Sequence, residues 1–264
     1  MKFMVAVDLE GVACAVSTVG DTLSTSPNYA FACKQAVREA NAAARALFDA
    51  GADQVVIWDN HGEGVNLDYD AIDERCDIAL GVCVAGRWPM LDESYDGVLL
   101  VGYHAMDSTP AAAIAHTYAS TLYQAVTIDG RLVGEMQIDA MLAGQVGVPV
   151  IFVSSDEAGV RQAEEWMPWI ESVATKKAMA YHRAVSLHPK RACEAIYKGV
   201  QRAYARLAEM KTLTCPSPCR MEVRFKTLEE AQRANFRDMN GQPFGFADAY
   251  TRTGTVRAPD ILFF

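Results

Sequence analysis

The chain has 264 residues, 51% of them hydrophobic and 22% charged, with a formal net charge of −9. That much apolar material excludes disorder as a description of the whole chain and suffices for a large core without disulfides. The acidic balance, with no dense basic patch, argues against a nucleic-acid partner.

The first element is the apolar run Phe3 to Val7, a buried strand stopped by Asp8. It is too short for a signal peptide or a membrane span, and no later run nears the ~20 apolar residues a span needs. The cytoplasm is the expected location, with no membrane partner. A Gly/Ser/Thr/Pro loop follows. Residues 28–50 then read as a helix with an Ala-rich face, closed by Gly51. Gln54 to Trp58 is a second strand, and strand–helix–strand at this length predicts a parallel βαβ unit.

Further strands are expected at 77–84, 97–102 and 148–153, and a hairpin at 122–133 turns on Asp129-Gly130. Helices are expected at 135–143, 156–167 and 189–210. The basic pairs Lys176-Lys177 and Lys190-Arg191 read as helix-surface pairs. After a Pro/Cys/Ser-rich break at 212–218 come a strand at 220–225, a short helix at 228–235 and a strand at 253–256. The fold class is α/β, a mixed, largely parallel sheet flanked by helices. A catalytic domain over 1–190 would be followed by a C-terminal helix and small α+β subdomain over 191–264. Of seven cysteines, Cys14, Cys33, Cys76, Cys83 and Cys193 read as small buried residues, and Cys215 and Cys219 as a loop pair.

In α/β sheets, sites form beyond the carboxyl ends of the strands. Asp8-Leu9-Glu10-Gly11 leaves the first strand and Asp59-Asn60-His61-Gly62 the second. Tyr103-His104-Ala105 leaves the strand at 97–102, and Ser154-Ser155-Asp156-Glu157 the one at 148–153. Four strands thus end in polar residues able to hold a metal. His116 lies twelve residues after His104, and Glu135 opens a helix after Gly134. Carboxylates with imidazoles are the ligand set of zinc, with manganese, cobalt or nickel as alternatives. Two carboxylates and a His serve one ion; a further His and Glu with a shared carboxylate serve a second. His182 and His188 read as surface residues. The chain lacks Gly-x-Ser-x-Gly, Gly-x-Gly-x-x-Gly, a Walker loop and His-Glu-x-x-His.

The set Ala6-Val7-Asp8-Leu9-Glu10-Gly11, Asp59-Asn60-His61, Gly102-Tyr103-His104-Ala105, His116 and Gly134-Glu135 resembles the DppA-type D-aminopeptidase family of zinc metallopeptidases. The resemblance runs from residue 2 to about residue 210. It implies two zinc ions per chain, bridged by Asp8. Glu10 and His61 would complete one protein shell and His104 and Glu135 the other, with His116 catalytic beside the substrate. It also implies a self-compartmentalising homodecamer of two stacked five-membered rings. The chain departs from the family pattern at Ala6 and at Asp59, where the family has Ser, and keeps the ligands.

The expected activity is aminopeptidase cleavage of short peptides, including D-amino-acid dipeptides. Asp156 or Glu157 is a candidate partner for the substrate's α-amine. The alternatives are another dinuclear hydrolase, an amidase or a phosphoesterase, or a non-enzymatic metal-binding ring scaffold. A phosphoesterase would need cations near the ligands, for which Arg87 and Lys34 are the candidates.

Overall fold

The computed structural model describes residues 1–81 and 86–259. Its elements in chain order are β1 (Lys2–Val7), α1 (Tyr29–Ala50), β2 (Gln54–Asp59), β3 (Asp77–Ala79), β4 (Gly97–Val101), β5 (Tyr123–Ile128), β6 (Arg131–Val133), α2 (Glu135–Gln145), β7 (Val150–Asp156), α3 (Glu157–Trp166), β8 (Glu171–Ala180), β9 (Arg183–Ser186), α4 (Pro189–Ala205), β10 (Cys219–Phe225), α5 (Leu228–Arg233), β11 (Gly245–Asp248) and β12 (Thr251–Val256). The strand expected at 77–84 is short, and its residues 82–84, Cys83 among them, lie outside the described residues.

Two sheets carry the fold. Seven strands run in the order β3-β2-β1-β4-β7-β8-β9, parallel from β3 through β8, with β9 antiparallel at the edge. The central strands β1, β4 and β7 are buried on both faces, which explains their continuous apolar runs. Five antiparallel strands run in the order β11-β12-β10-β5-β6. The β5–β6 turn has positive φ at both Asp129 and Gly130, the primed geometry expected from the dipeptide.

The core is layered accordingly. Alanines of α1 and Ile196, Val200 and Ala203 of α4 cover one face of the large sheet. Met136, Ala140 and Ala143 of α2 cover the other, while Ile138, Met141 and Leu142 of the same helix face the second sheet. Helix α2 is therefore buried all round, the usual position of a helix between two layers. The division expected at residue 191 runs through this packing. Helix α4 lies against α1, β7 and β8, and β5 pairs with β10 across it.

The structure departs from the sequence reading in several stretches: β8, β9 and β11 form where no strand is expected, and α4 ends at Ala205, short of 210. Lys176 and Lys177 stand on β8, not on a helix, and Lys176 is buried. Six described cysteines are free thiols. Cys14, Cys33, Cys76 and Cys193 are half-buried, and the Sγ atoms of Cys215 and Cys219 lie 3.3 Å apart. Among the described residues no helix is long and apolar enough to cross a membrane.

Candidate metal centre

The ends of β1 and β4 close on each other at the carboxyl edge of the large sheet. Asp8 N–H donates to the Val101 carbonyl at 2.8 Å, and Gly11 N–H to the Gly102 carbonyl at 2.7 Å. A Cβ on Gly11 would lie 1.8 Å from the Tyr103 carbonyl oxygen. Only glycine permits that approach. The result brings Asp8 and Glu10 beside His104, which leaves β4.

His61 leaves β2 from a loop shaped by Asp59. The Asp59 carboxylate accepts from Asn66 N–H at 2.6 Å and Leu67 N–H at 2.9 Å, so it builds the turn and donates no metal ligand. His61 Nδ1 lies 2.9 Å from Asp8 Oδ1 and 3.1 Å from Glu10 Oε2, and its Nε2 lies 3.1 Å from Ser24 Oγ. Asp8 Oδ2 faces the other way, 3.5 Å from His104 Nε2. Asp8 thus offers one oxygen to each half of the cluster, the disposition of a bridging carboxylate.

Backbone carbonyls orient the other two imidazoles. His104 Nδ1 donates to the Ala105 carbonyl and His116 Nδ1 to the Ile114 carbonyl, each at 2.9 Å. A carbonyl only accepts, so both Nδ1 atoms carry hydrogen, and both Nε2 atoms turn toward Glu135. The rings stack at 3.9 Å with 12° between their planes. Glu135, the first residue of α2, places Oε1 3.3 Å from His104 Nε2 and 3.8 Å from His116 Nε2, and also accepts from Tyr118 N–H.

The electrostatics are those of crowded carboxylates. Burial opposes ionisation of Asp8, but the His61 hydrogen bond and the charge of His104 hold its carboxyl well below the usual range. Burial likewise opposes ionisation of Glu135, and His104 and His116 hold it low. Against its own burial, His104 is pushed up to about 10 by Glu135 and Asp8, and His61 is held well above its ordinary value by Glu10 and Asp8. The carboxylates demand positive charge, a demand a divalent cation meets as well. His104 Nε2 and Glu10 Oε2 are buried yet complete no hydrogen bond of good geometry, despite those short approaches. Asp8, Glu10 and His104 bring donor atoms within 4.8 Å of one another, as do His104, His116 and Glu135. Hard carboxylate and borderline imidazole donors so arranged fit zinc.

Asp8, Glu10, His61, His116 and Glu135 line a cleft of about 450 Å³, walled by Leu23, Ile114, Arg87, Tyr118 and Tyr181, while His104 is buried and stands outside the lining. A larger groove of about 590 Å³ runs beside Arg38, Arg45 and Tyr197 on α1 and α4, with none of the clustered donors. The structure leaves Asp156 and Glu157 outside the cleft lining. Asp156 is buried as the cap of α3, accepting from Gly159 N–H and Ala113 N–H, each at 2.8 Å. Glu157 faces outward within 3.5 Å of Arg161 and Lys177. Lys34 is exposed on α1 and lines no part of the cleft. Arg87 does line it, but gives Nε and Nη2 to Asp139.

Sequence reasoning missed Lys176 on β8. Its buried Nζ donates to the carbonyls of Glu10, Val12 (2.9 Å) and Ala15 (2.6 Å), while Thr175 Oγ1 donates to the Gly11 carbonyl at 2.5 Å. Burial pushes the Lys176 ammonium down to about 8, against the pull of Asp156 and Glu39. The strand clasps the backbone of the turn that carries Asp8 and Glu10. A lysine in a polar stretch gives no sign of this role until its carbonyl partners are known.

Comparison with known proteins agrees with this geometry. The family model described as D-aminopeptidase matches residues 1–242. A D-aminopeptidase of Bacillus subtilis (strain 168) is 28% identical over 245 residues, spanning 89% of this chain and 85% of that protein. Among solved structures, the Zn-dependent D-aminopeptidase DppA of Bacillus subtilis, described as a self-compartmentalizing protease, superposes with a TM-score of 0.90 at 26% identity. The match covers all of this chain and 94% of that one.

Proposed function

Because this chain belongs to the D-aminopeptidase family, we propose that it is a zinc-dependent aminopeptidase cleaving the first peptide bond of short peptides, D-amino-acid dipeptides included. The observation that carries this reading is the convergence of Asp8, Glu10, His61, His104 and Glu135, with His116 stacked on His104, in one cluster of which all but His104 line the cleft. Those five side chains would hold two zinc ions. Bound zinc supplies the Lewis acidity that polarises a peptide carbonyl and lowers the pKa of water from about 16 to about 7.

The chain's own residues do the rest. Asp8 spans the two halves of the centre with its two oxygens. His116 keeps its proton-bearing Nδ1 on the Ile114 carbonyl and presents Nε2 to the cleft. There it can take up a proton and return it to the leaving amine. Leu23, Ile114 and Tyr181 supply apolar wall against which a substrate side chain can rest. A phosphoesterase is disfavoured, because Arg87, the only lysine or arginine among the described lining residues, is engaged by Asp139.

The reading extends to assembly and place. The likeness to a self-compartmentalizing protease over the whole chain supports a homo-oligomer, and the family resemblance of the sequence extends this to ten copies in two stacked rings. The six free thiols among the described residues support a reducing cytoplasm. The test is metal content and activity on one sample purified without a metal-binding tag. Mass spectrometry should find about two metals per chain. D-Ala-D-Ala, L-Ala-L-Ala and a β-alanyl dipeptide should be assayed in parallel. Chelator-sensitive cleavage supports the peptidase; two metals without cleavage point to another hydrolase, and no metal uptake ends the reading.

A further inference from the structure

Asp139 is fully buried on α2, one helical turn beyond Glu135. Its carboxylate accepts four hydrogen bonds. Arg87 Nε donates to Oδ1 at 2.9 Å and Arg87 Nη2 to Oδ2 at 3.1 Å. The Tyr103 hydroxyl donates to Oδ2 at 2.8 Å and the Tyr118 hydroxyl to Oδ1 at 3.0 Å. The Tyr103 oxygen in turn accepts from Asn60 Nδ2 at 2.8 Å.

Apart from Arg87, the members of this network stand beside residues of the metal centre. Asn60 precedes His61 and Tyr103 precedes His104. Tyr118 follows His116 by two residues, and its own N–H donates to Glu135. Four of the five segments that build the centre are thus tied, through neighbours, to one carboxylate that lies outside it.

We infer that Asp139 is the positioning residue of the metal centre: its carboxylate sets the register of the His61, His104, His116 and Glu135 segments against one another. The inference rests on the proposed zinc centre. Its logic is directional. Apolar packing tolerates small slides between segments, whereas a carboxylate with all four acceptor sites taken fixes the angle and distance of each donor. Arg87 offsets the buried charge and adds planar, two-point geometry. Its guanidinium also lies over the Trp58 and Tyr118 rings, at 4.8 and 5.2 Å, so the clamp extends to the cleft wall. Metal sites need such support because their ligands must hold within about 0.5 Å of productive geometry.

The test compares the parent chain with Tyr103→Phe and Asp139→Asn. Zinc affinity is read by competition with a chelator, and the melting temperature is read in EDTA. The expected result is a 10–100-fold loss of zinc affinity in both variants, with the metal-free melting temperature of Tyr103→Phe within a few degrees of the parent. On D-Ala-D-Ala, kcat should fall while KM stays close to the parent value. Tyr103→Phe decides the matter even where Asp139→Asn does not fold. If Tyr103→Phe melts lower but keeps full zinc affinity, the network is scaffold only and the inference is overturned. A parent that binds zinc and cleaves no peptide refutes the activity, yet the competition still decides the role of Asp139. A parent that binds no zinc overturns the centre and the inference together.

Discussion

At the residue scale, the function depends on where a few side chains stop being part of strands. Asp8, His61 and His104 follow apolar strand runs, and Glu135 opens a helix after a glycine. These signals are local, so the sequence displays them. His104→Ala should abolish turnover with the protein still folded, because its Nε2 lies within reach of both Asp8 and Glu135. Full activity in the metal-replete variant would remove His104 from the site. A second residue-scale prediction concerns Glu39, buried on α1. Its Oε1 accepts from Ala13 N–H at 2.9 Å and Gln35 Nε2 at 2.8 Å, but burial outweighs both and pushes the carboxyl up to about 7. The folded value lies above the unfolded one of about 4.5, so the protonated form is favoured by folding. That stability is fully present below about pH 4.5 and is lost as pH rises through about 7. Urea melts of the parent and Glu39→Gln at pH 5, 6, 7 and 8 should show the parent losing ground to the variant as pH rises. A difference that stays flat with pH would refute it.

At the element scale, the strand β8 explains both a miss in the sequence reading and a feature of the site. Its sequence carries two lysines and alternates poorly, because Lys176 is buried toward carbonyls of the 10–15 turn instead of toward solvent. A polar residue satisfied by backbone more than 160 positions away leaves no pattern in its own neighbourhood. Asp139 was illegible for the same reason, since it reads as an ordinary polar position in a helix until Arg87, Tyr103 and Tyr118 are placed around it. By contrast α1 and α3 are legible to within a residue of their ends and α4 at its start, because caps and amphipathic periods are written locally, although α4 stops at Ala205 and not at 210. Lys176→Met should leave three buried carbonyls without their donor. At about 1–3 kcal/mol each, the cost is roughly 3 kcal/mol or more, read as a fall in the denaturant midpoint. Zinc affinity should fall with it, since Glu10 is one of the residues released. An unchanged midpoint would show that water or neighbours replace the ammonium.

At the scale of the whole molecule, the centre lies where two sheets meet, with α2 buried between them and Glu135 at its tip. Metal and fold should therefore stabilise each other. At free zinc 100 times Kd, each site adds about 2.7 kcal/mol if the unfolded chain does not bind. Adding a chelator should lower the melting temperature by several degrees, and adding zinc should restore it. A melting temperature indifferent to zinc would mean that the donors bind no ion. The assembly is tested separately by mass photometry, where a species of ten 28.8 kDa chains is expected; a monomer at micromolar concentration would refute the ring reading.

The pairing of β5 with β10 joins residues 123–128 to 221–225, and it packs the face of α2 formed by Ile138, Met141 and Leu142. The turn at 10–15 waits likewise for β8. On the ribosome, the earliest ligands emerge first but cannot be held in place until the strands that brace them have been synthesised. Catalytic competence is thus acquired late in biosynthesis, and a nascent chain carries all five proposed metal donors well before it can use them.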